Sequence, residues 1–401
     1  MNIAVRWLAR AAALTILTSV LAVPASAQTI HVEVLTDKLD SPWGLAQLPD
    51  GGFLVTERSG ALWRLDERGA RISKIQNVPP AFVRLQGGLF DVVLHPQFAT
   101  HSTIYLSFAN GDQKRNTLRV IKAVLRGNSL TQIQQVFDSS PRATAVHYGG
   151  SLGFMSDGTL LITIGDSFEH REGAQRLDLL RGKVARINDD GTIPRDNPFA
   201  GKSHSEPAIW SYGHRNPQGL GIDPVTGVVY VSEHGPQGGD EVNVIEPGVN
   251  YGWPIATHGV DYTGGKISPF ASYPRMREPL LYWDPSIAPA GITVYRGREF
   301  PEWEGDLLVA VLRNTQLRRI DLESGTVQGE QSLLADRAAR FREVQVGADG
   351  ALYALAESVE GKERSGQLLR VSRGQLTGAS STKSGARSIE ADSSSTVKGQ
   401  L

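Results

Sequence analysis

Five times the chain repeats one local pattern, a two-residue turn signal ending in glycine followed at once by a short run of branched and aromatic residues. The turn pairs are Asp50-Gly51, Asp157-Gly158, Thr226-Gly227, Glu304-Gly305 and Asp349-Gly350, and the runs after them cover residues 52–56, 159–164, 228–231, 306–310 and 351–355. Residues 61–65 and 103–107 have the same composition. Runs of this length and make-up favour extended strands, and glycine-ended pairs between them favour tight hairpins. Loose repetition of short antiparallel strands, with one short helical segment expected at residues 173–180, predicts an all-β six-bladed β-propeller of four-stranded antiparallel sheets. A pair of jelly rolls is the architectural rival. Sequential hairpins place it second, because they build up-and-down meanders more readily than Greek keys.

The ends of the chain differ from the middle. Arg6 and Arg10, an apolar run from Ala11 to Val23 and the sequence Pro24-Ala25-Ser26-Ala27 stand in the order of a secretory signal peptide, so residues 1–27 are expected to be removed and the rest to be periplasmic or secreted. The run is shorter than the ~20 residues a spanning helix needs, so no integral membrane segment is expected after cleavage. Residues 28–373 then form the propeller, and residues 374–401, rich in Ser and Gly and almost without apolar side chains, are expected to be disordered. There is no cysteine, hence no disulfide, no lipid attachment at the cleavage site and no C-x-x-C-H haem motif. A formal net charge of −1 and a pI near 6.8 argue against nucleic acid or an anionic membrane as the partner and leave small ligands. A monomer or weak dimer is expected.

Polar chemistry is concentrated in a few motifs. In Val146-His147-Tyr148-Gly149-Gly150, two glycines leave the imidazole unobstructed, which suits a general base; a loop histidine satisfied by a backbone carbonyl is the alternative. In Gly213-His214-Arg215-Asn216-Pro217-Gln218-Gly219, Pro217 forces Asn216 into an extended conformation, and the rigid turn aims Arg215 and Asn216 at one point. The segment Glu233-His234-Gly235-Pro236 with Asp240-Glu241, followed by Asn250-Tyr251-Gly252-Trp253-Pro254, offers carboxylate, amide and carbonyl oxygens of the kind hard divalent cations take, without EF-hand spacing. Alternation puts Arg340 and Arg342 on one side of a strand, where they await an anion or simply face solvent at an edge.

Taken in order, Gln86-Gly87-Gly88-Leu89, His147-Tyr148-Gly149-Gly150, the arginine turn, the Glu233–Glu241 and Asn250–Pro254 segments and Ser286-Ile287-Ala288-Pro289 closely resemble the soluble pyrroloquinoline-quinone-dependent sugar dehydrogenases of the glucose/sorbosone dehydrogenase family. The short loops between motifs are more similar to the bacterial aldose sugar dehydrogenases. The resemblance implies pyrroloquinoline quinone and calcium as cofactors, an aldose substrate oxidised at C1 to a lactone, and a separate external electron acceptor. It implies that His147 takes the proton of the anomeric hydroxyl as hydride passes to the quinone, and that Arg215 stabilises the charge developing on the quinone oxygen. The carbonyls of Gly235 and Pro236 would hold the catalytic calcium, and Glu241 and the Tyr251 backbone a second, structural one. Gln86, Asn216, Ser286, Arg313, Arg340 and Arg342 would hold the tricarboxylate cofactor. Ser151 and Val146, beside His147, and Arg313 depart from the family pattern and leave the sugar preference open. A non-catalytic propeller that binds quinone and calcium, and a calcium-dependent propeller lactonase, are the alternatives.

Overall fold

In the computed structural model, which describes residues 29–374 apart from Asn314, Gly361 and Lys362, the strands pair into six four-stranded antiparallel sheets. The expected signal peptide, residues 1–27, and all but the first residue of the expected disordered tail, residues 374–401, lie outside the described residues. In each sheet the innermost strand packs against its counterparts in the neighbouring sheets: Pro42–Gln47, Leu89–Leu94, Gly149–Phe154, Pro217–Ile222, Pro289–Val294 and Arg340–Val346 form this inner ring. The strand Ile30–Leu39 completes the last blade by pairing antiparallel with Glu363–Arg373, from Ile30 opposite Arg373 to Leu39 opposite Gly366. The two ends of the described chain thereby close the ring without leaving an open edge between first and last blade.

The turn pairs read from sequence all have one job. Each joins an innermost strand to the second strand of its blade, and in the remaining blade the helical turn Phe98–His101 does the same. Second strands such as Phe53–Glu57, Leu160–Ile164, Val229–Glu233 and Leu307–Val311 are buried along their whole length. Burial on both faces explains their continuous apolar character. Their side chains fill the spaces between blades, as where Ile162 and Ile164 share a cluster with Trp43, Phe90 and Tyr105. The expected helix at residues 173–180 is instead a 3-10 turn, Arg171–Ala174, and further short turns occur at Pro301–Trp303 and Ala335–Arg337. Gly182, with a φ of +60°, packs against Ala174 and lets the chain turn back into the strand Lys183–Ile187.

Every innermost strand is irregular near its entrance. Register shifts fall between Pro42 and Leu45, Leu89 and Val92, Gly149 and Leu152, Pro217 and Gly219, Pro289 and Ile292, and Phe341 and Glu343. Such bulges leave backbone groups unpaired, and buried hydroxyls recover them. Thr56 Oγ1 accepts from Gly44 N–H at 2.7 Å and donates to Phe90 C=O of the next blade; Ser107 Oγ accepts from Asp91 N–H at 3.0 Å and donates to Gly150 C=O at 2.5 Å. Ser151 and Ser232 donate across the next two seams, to Gln218 C=O and Ala290 C=O. Because the inner strands run the same way, all six bulged entrances open on one face of the ring, together with the exits of the second strands.

Candidate active site

The motifs singled out in the sequence lie at these entrances and exits. His147 precedes the strand Gly149–Phe154 with a φ of +53°. Its backbone is fixed on both sides, N–H donating to Gln86 Oε1 at 2.7 Å and C=O accepting from Arg142 Nη1 at 2.8 Å. The alternative of a loop histidine satisfied by a backbone carbonyl does not hold for the ring, which pairs with a carboxylate. Its Nδ1 lies 2.7 Å from Asp166 Oδ1, and both side chains are buried. Asp166 also accepts from Trp253 Nε1 at 2.7 Å and from Phe168 N–H at 2.7 Å, so the carboxylate is surrounded by donors and Nδ1 is the protonated nitrogen. That leaves Nε2 with its lone pair.

Electrostatics support the same protonation pattern. Burial lowers the His147 pKa from its ordinary 6.5, against the pull of Asp166, and the Arg215 and Arg142 charges lower it further. Burial pushes the Asp166 carboxyl up, but the hydrogen bond and charge of His147, the Arg215 guanidinium and the Phe168 amide outweigh it and hold the carboxyl below its usual range.

Arg215 is held by its neighbours on the arginine turn. Glu233 Oε2 accepts from Arg215 N–H at 2.7 Å, while Oε1 faces His214 Nδ1 at 3.0 Å and accepts from Asn243 Nδ2 at 3.0 Å. The guanidinium donates through Nη1 to His234 C=O at 2.9 Å and to Gly235 C=O, and through Nη2 to the Tyr262 hydroxyl at 3.2 Å. His147, Asp166, Arg215, Pro236 and Trp253 all line one cavity of about 450 Å³.

A second cavity of about 260 Å³ is lined by Tyr148, Gly149, Gln86, Gln218, His234 and three arginines, Arg58, Arg340 and Arg342, with Glu357 as its carboxylate. Arg342 donates to Gln218 Oε1 at 2.7 Å, and burial lowers its pKa to about 10. Arg340 lies 3.7 Å from Glu357. Among the described residues Arg340 Nε, His234 Nε2 and Asn216 Nδ2 are buried without a hydrogen-bond partner. Burial, with Arg342 and Arg215 nearby, lowers the His234 pKa to about 3, so this ring is neutral.

The remaining predicted residues divide. Ser286 Oγ accepts from Gly238 N–H at 3.0 Å and donates toward Asp240 Oδ1 at 3.1 Å and Pro236 C=O at 3.4 Å, so it ties down the Gly235–Asp240 loop. Asp240 fixes the same loop by accepting from Gly235 N–H at 2.8 Å. Gly235 has no room for a side chain, since a Cβ there would stand 2.2 Å from Gly239 C=O. Glu241 is raised to about 8 by burial and by Glu233, and its Oε2 accepts from Asn243 Nδ2 at 3.1 Å. Tyr251 stacks on His214 at 4.8 Å, which places it beside the same Glu233. Arg313 is exposed on the turn after Leu307–Val311 and lines neither cavity. Ser151 is buried in the seam between blades and lines neither cavity as well, so its departure from the family pattern alters packing rather than a wall of either cavity.

Sequence reading missed Asp166 and Arg58. Both directly follow a second strand or its last glycine, and exit positions of this kind share the face of the bulged entrances; that positional rule was the available signal.

A family model described as Glucose / Sorbosone dehydrogenase matches residues 39–370. The chain belongs to that family. It is 40% identical over 355 residues to the aldose sugar dehydrogenase YliI of Escherichia coli, spanning 87% of this chain and 94% of that one. The crystal structure of the soluble aldose sugar dehydrogenase of Escherichia coli in its apo-form matches this glucose/sorbosone dehydrogenase family member with a TM-score of 0.81 at 39% identity, over 86% of this chain and 99% of that one. The PQQ-bound form of the aldose sugar dehydrogenase of Streptomyces coelicolor matches with a TM-score of 0.70 at 29% identity, over 86% and 99%.

Proposed function

We propose that the protein is a periplasmic quinoprotein that oxidises aldoses at C1 to lactones, using pyrroloquinoline quinone and calcium and passing electrons to a separate acceptor. The observation that carries the reading is the buried His147–Asp166 pair facing Arg215 across one cavity, beside a second cavity rich in arginine. Similarity to the aldose sugar dehydrogenases of Escherichia coli and Streptomyces coelicolor supports it.

The residues present suit both cofactors. Three arginines lining one cavity against one carboxylate, with the buried Arg340 Nε left unpartnered, are donors for a flat polyanion. The carbonyls of Gly235 and Pro236, which now accept from Arg215 and Ser286, would be oxygen donors for calcium once Arg215 turns to the quinone, in a loop where only glycine fits at the first position. Glu241, raised by burial next to Glu233, is a carboxylate that a second divalent ion would neutralise. The quinone, when bound, supplies the hydride acceptor and calcium a Lewis acid at its carbonyl. His147 Nε2 accepts the proton of the C1 hydroxyl. Asp166 holds Nδ1–H and stabilises the imidazolium that results, while Arg215 presents its positive charge where negative charge develops. Gln86 keeps the His147 backbone in place, and Arg340, Arg342 and Arg58 offset the cofactor carboxylates.

The test is reconstitution. Purified protein loaded with pyrroloquinoline quinone and calcium should reduce an artificial dye when given aldoses, and chelation of calcium should abolish that. Silence across hexoses, pentoses and disaccharides with quinone tightly bound would favour the non-catalytic reading, and quinone-independent lactone hydrolysis the lactonase. The periplasmic assignment rests on the order of charges and apolar residues at the N-terminus and on cleavage before Gln28, which N-terminal sequencing of exported protein would check.

A further inference from the structure

Among the described residues the buried indole N–H groups of Trp63, Trp210 and Trp303 have no hydrogen-bond partner. The fold does not require its tryptophans to be paired. Trp253 is the contrast, since its side chain is buried and its Nε1 donates at 2.7 Å to Asp166 Oδ2, 87 residues away in sequence and on the neighbouring blade. The two oxygens of Asp166 are held from different sides. Oδ1 meets His147 Nδ1 and the Phe168 N–H, both at 2.7 Å, and the Asp166 N–H donates to Arg215 C=O at 2.8 Å. Among the described residues Trp253 is the one donor to Oδ2. The same indole turns its face to the other half of the site, with the Arg215 guanidinium carbon 5.3 Å from the ring centroid.

An indole can aim a carboxylate only if its own backbone is fixed. Trp253 N–H donates to Gly213 C=O at 2.9 Å, and Trp253 C=O accepts from Gln175 Nε2 at 2.7 Å. Gln175 and Asn250 exchange side-chain hydrogen bonds, Nε2 to Oδ1 at 3.0 Å and Nδ2 to Oε1 at 2.7 Å, and Asn250 Oδ1 also accepts from Gly252 N–H at 3.0 Å. Gly213, with a φ of +80°, packs so closely that a Cβ there would stand 2.2 Å from Asn250 Oδ1. The Asn250 side chain is thus committed to the frame that carries Trp253.

We propose that Trp253 is a positioning residue of the reaction centre, its indole N–H clamping Asp166 Oδ2 so that Oδ1 stays aimed at His147 Nδ1–H and Nε2 is left to act as base. The role of His147 rests on the function proposed above. The clamp rests on the geometry of the Trp253–Asp166–His147 chain. Without the N–H a buried carboxylate oxygen is left unpaired, and the carboxylate is free to turn about its Cβ–Cγ bond. More of its negative charge then acts on the imidazole, so the imidazolium is favoured and the base is lost to protonation at a higher pH. The other charges that reach the pair, Arg142 and Arg215 beside it and Glu169, Arg171, Glu172 and Asp261 around the cavity, are unchanged by such a substitution, as is the neutral His234.

The test is Trp253→Phe in full-length protein loaded with pyrroloquinoline quinone and calcium, which deletes the N–H and keeps a ring beside Arg215. With an aldose as substrate, kcat should fall about 10–100-fold, the worth of a hydrogen bond to a charged group, with KM nearly unchanged, and the acid limb of kcat/KM should move toward higher pH. A tryptophan that only packs would leave the limb in place. Independently of turnover, the indole N–H resonance that disappears from the proton–nitrogen NMR spectrum of Trp253→Phe should, in sugar-free wild type, shift as His147 is protonated and hold still over the same pH range in His147→Gln. If the Phe variant does not fold, that resonance is identified as the indole signal that Asp166→Asn moves furthest. An unmoved limb in folded Trp253→Phe, or an indole resonance blind to His147, overturns the clamp. A resonance that follows His147 in a protein that reduces no dye with any sugar leaves the clamp standing and removes the dehydrogenase reading.

Discussion

The cavity lined by Arg340 and Arg342 and the cavity behind His147 are built from the same kind of strand entrance, yet their charges are composed in opposite ways. The first gathers Arg58, Arg340 and Arg342 around the single carboxylate of Glu357. In the second, Arg171 and Arg215 face Asp166, Glu169, Glu172 and Asp261. Three partly buried guanidiniums around one carboxylate leave an excess of positive charge, so the first cavity is suited to a polyanion. Four carboxylates and two guanidiniums around a neutral imidazole offer both acceptors and donors to the hydroxyls of an uncharged polyol. On the function proposed above one chamber would hold and the other react, and the His147–Gly149 segment contributes to both linings, His147 to the second and Tyr148 and Gly149 to the first.

If that division is right, the largest effect comes from the reacting side alone. His147→Gln should lower kcat by ~10²–10⁴, the usual worth of a positioned base, while quinone affinity stays that of the wild type. Single-turnover reduction of bound quinone, with affinity measured by fluorescence titration, separates the two; equal losses in both would merge the chambers into one. The converse variant acts on the holding side. Arg342→Leu should weaken quinone binding by ~10–100-fold, the worth of one charge-assisted contact, and leave the sugar KM of the loaded enzyme nearly unchanged. A quinone affinity independent of Arg342 would leave the arginine-rich chamber without its anion.

The comparison also shows what could be read in advance. Residues 53–57, 160–164, 229–233, 307–311 and 352–355 were legible because second strands are buried on both faces and carry branched residues without interruption. Their glycine-ended turns were legible for the same reason, and together they pointed to six blades. The innermost strands were not. Around the axis the chains approach so closely that a Cβ on Gly44 would stand 2.9 Å from the Asp91 backbone, and one on Gly291 2.5 Å from the Glu343 carboxylate. Pro217–Ile222 therefore begins in what reads as a rigid turn, and Pro42–Gln47 carries no strand signal, although both are strands. Motif residues at their entrances could be named as a set, since glycines and a proline mark them. Asp166 could not, because its function arises from a contact with His147 that only the ring of blades creates. The Ser151 departure could be seen but was misplaced, since alternation along a bulged strand turned its side chain into the seam.

The smallest effect sharpens the reacting side from within. Asp166 raises the pKa of His147, while burial, Arg215 and Arg142 lower it, and the lowering wins. Because the base works only when neutral, the acid limb of kcat/KM should fall below pH 6.5, the ordinary imidazole value, and activity should be flat through neutrality. Asp166→Asn keeps the shape of the side chain and removes its charge, so the contributions that raise the pKa are lost and those that lower it remain. The limb should then move to still lower pH. Turnover on the plateau should nevertheless fall, because the amide no longer selects the Nδ1–H tautomer and no longer stabilises the imidazolium. The two readouts move in different directions for a reason particular to this pair: a more acidic histidine is neutral over a wider range but is a weaker and less well aimed base. A limb that shifts toward higher pH in Asp166→Asn would mean that the titrating group is not His147, and the division between the two chambers would have to be drawn through another residue.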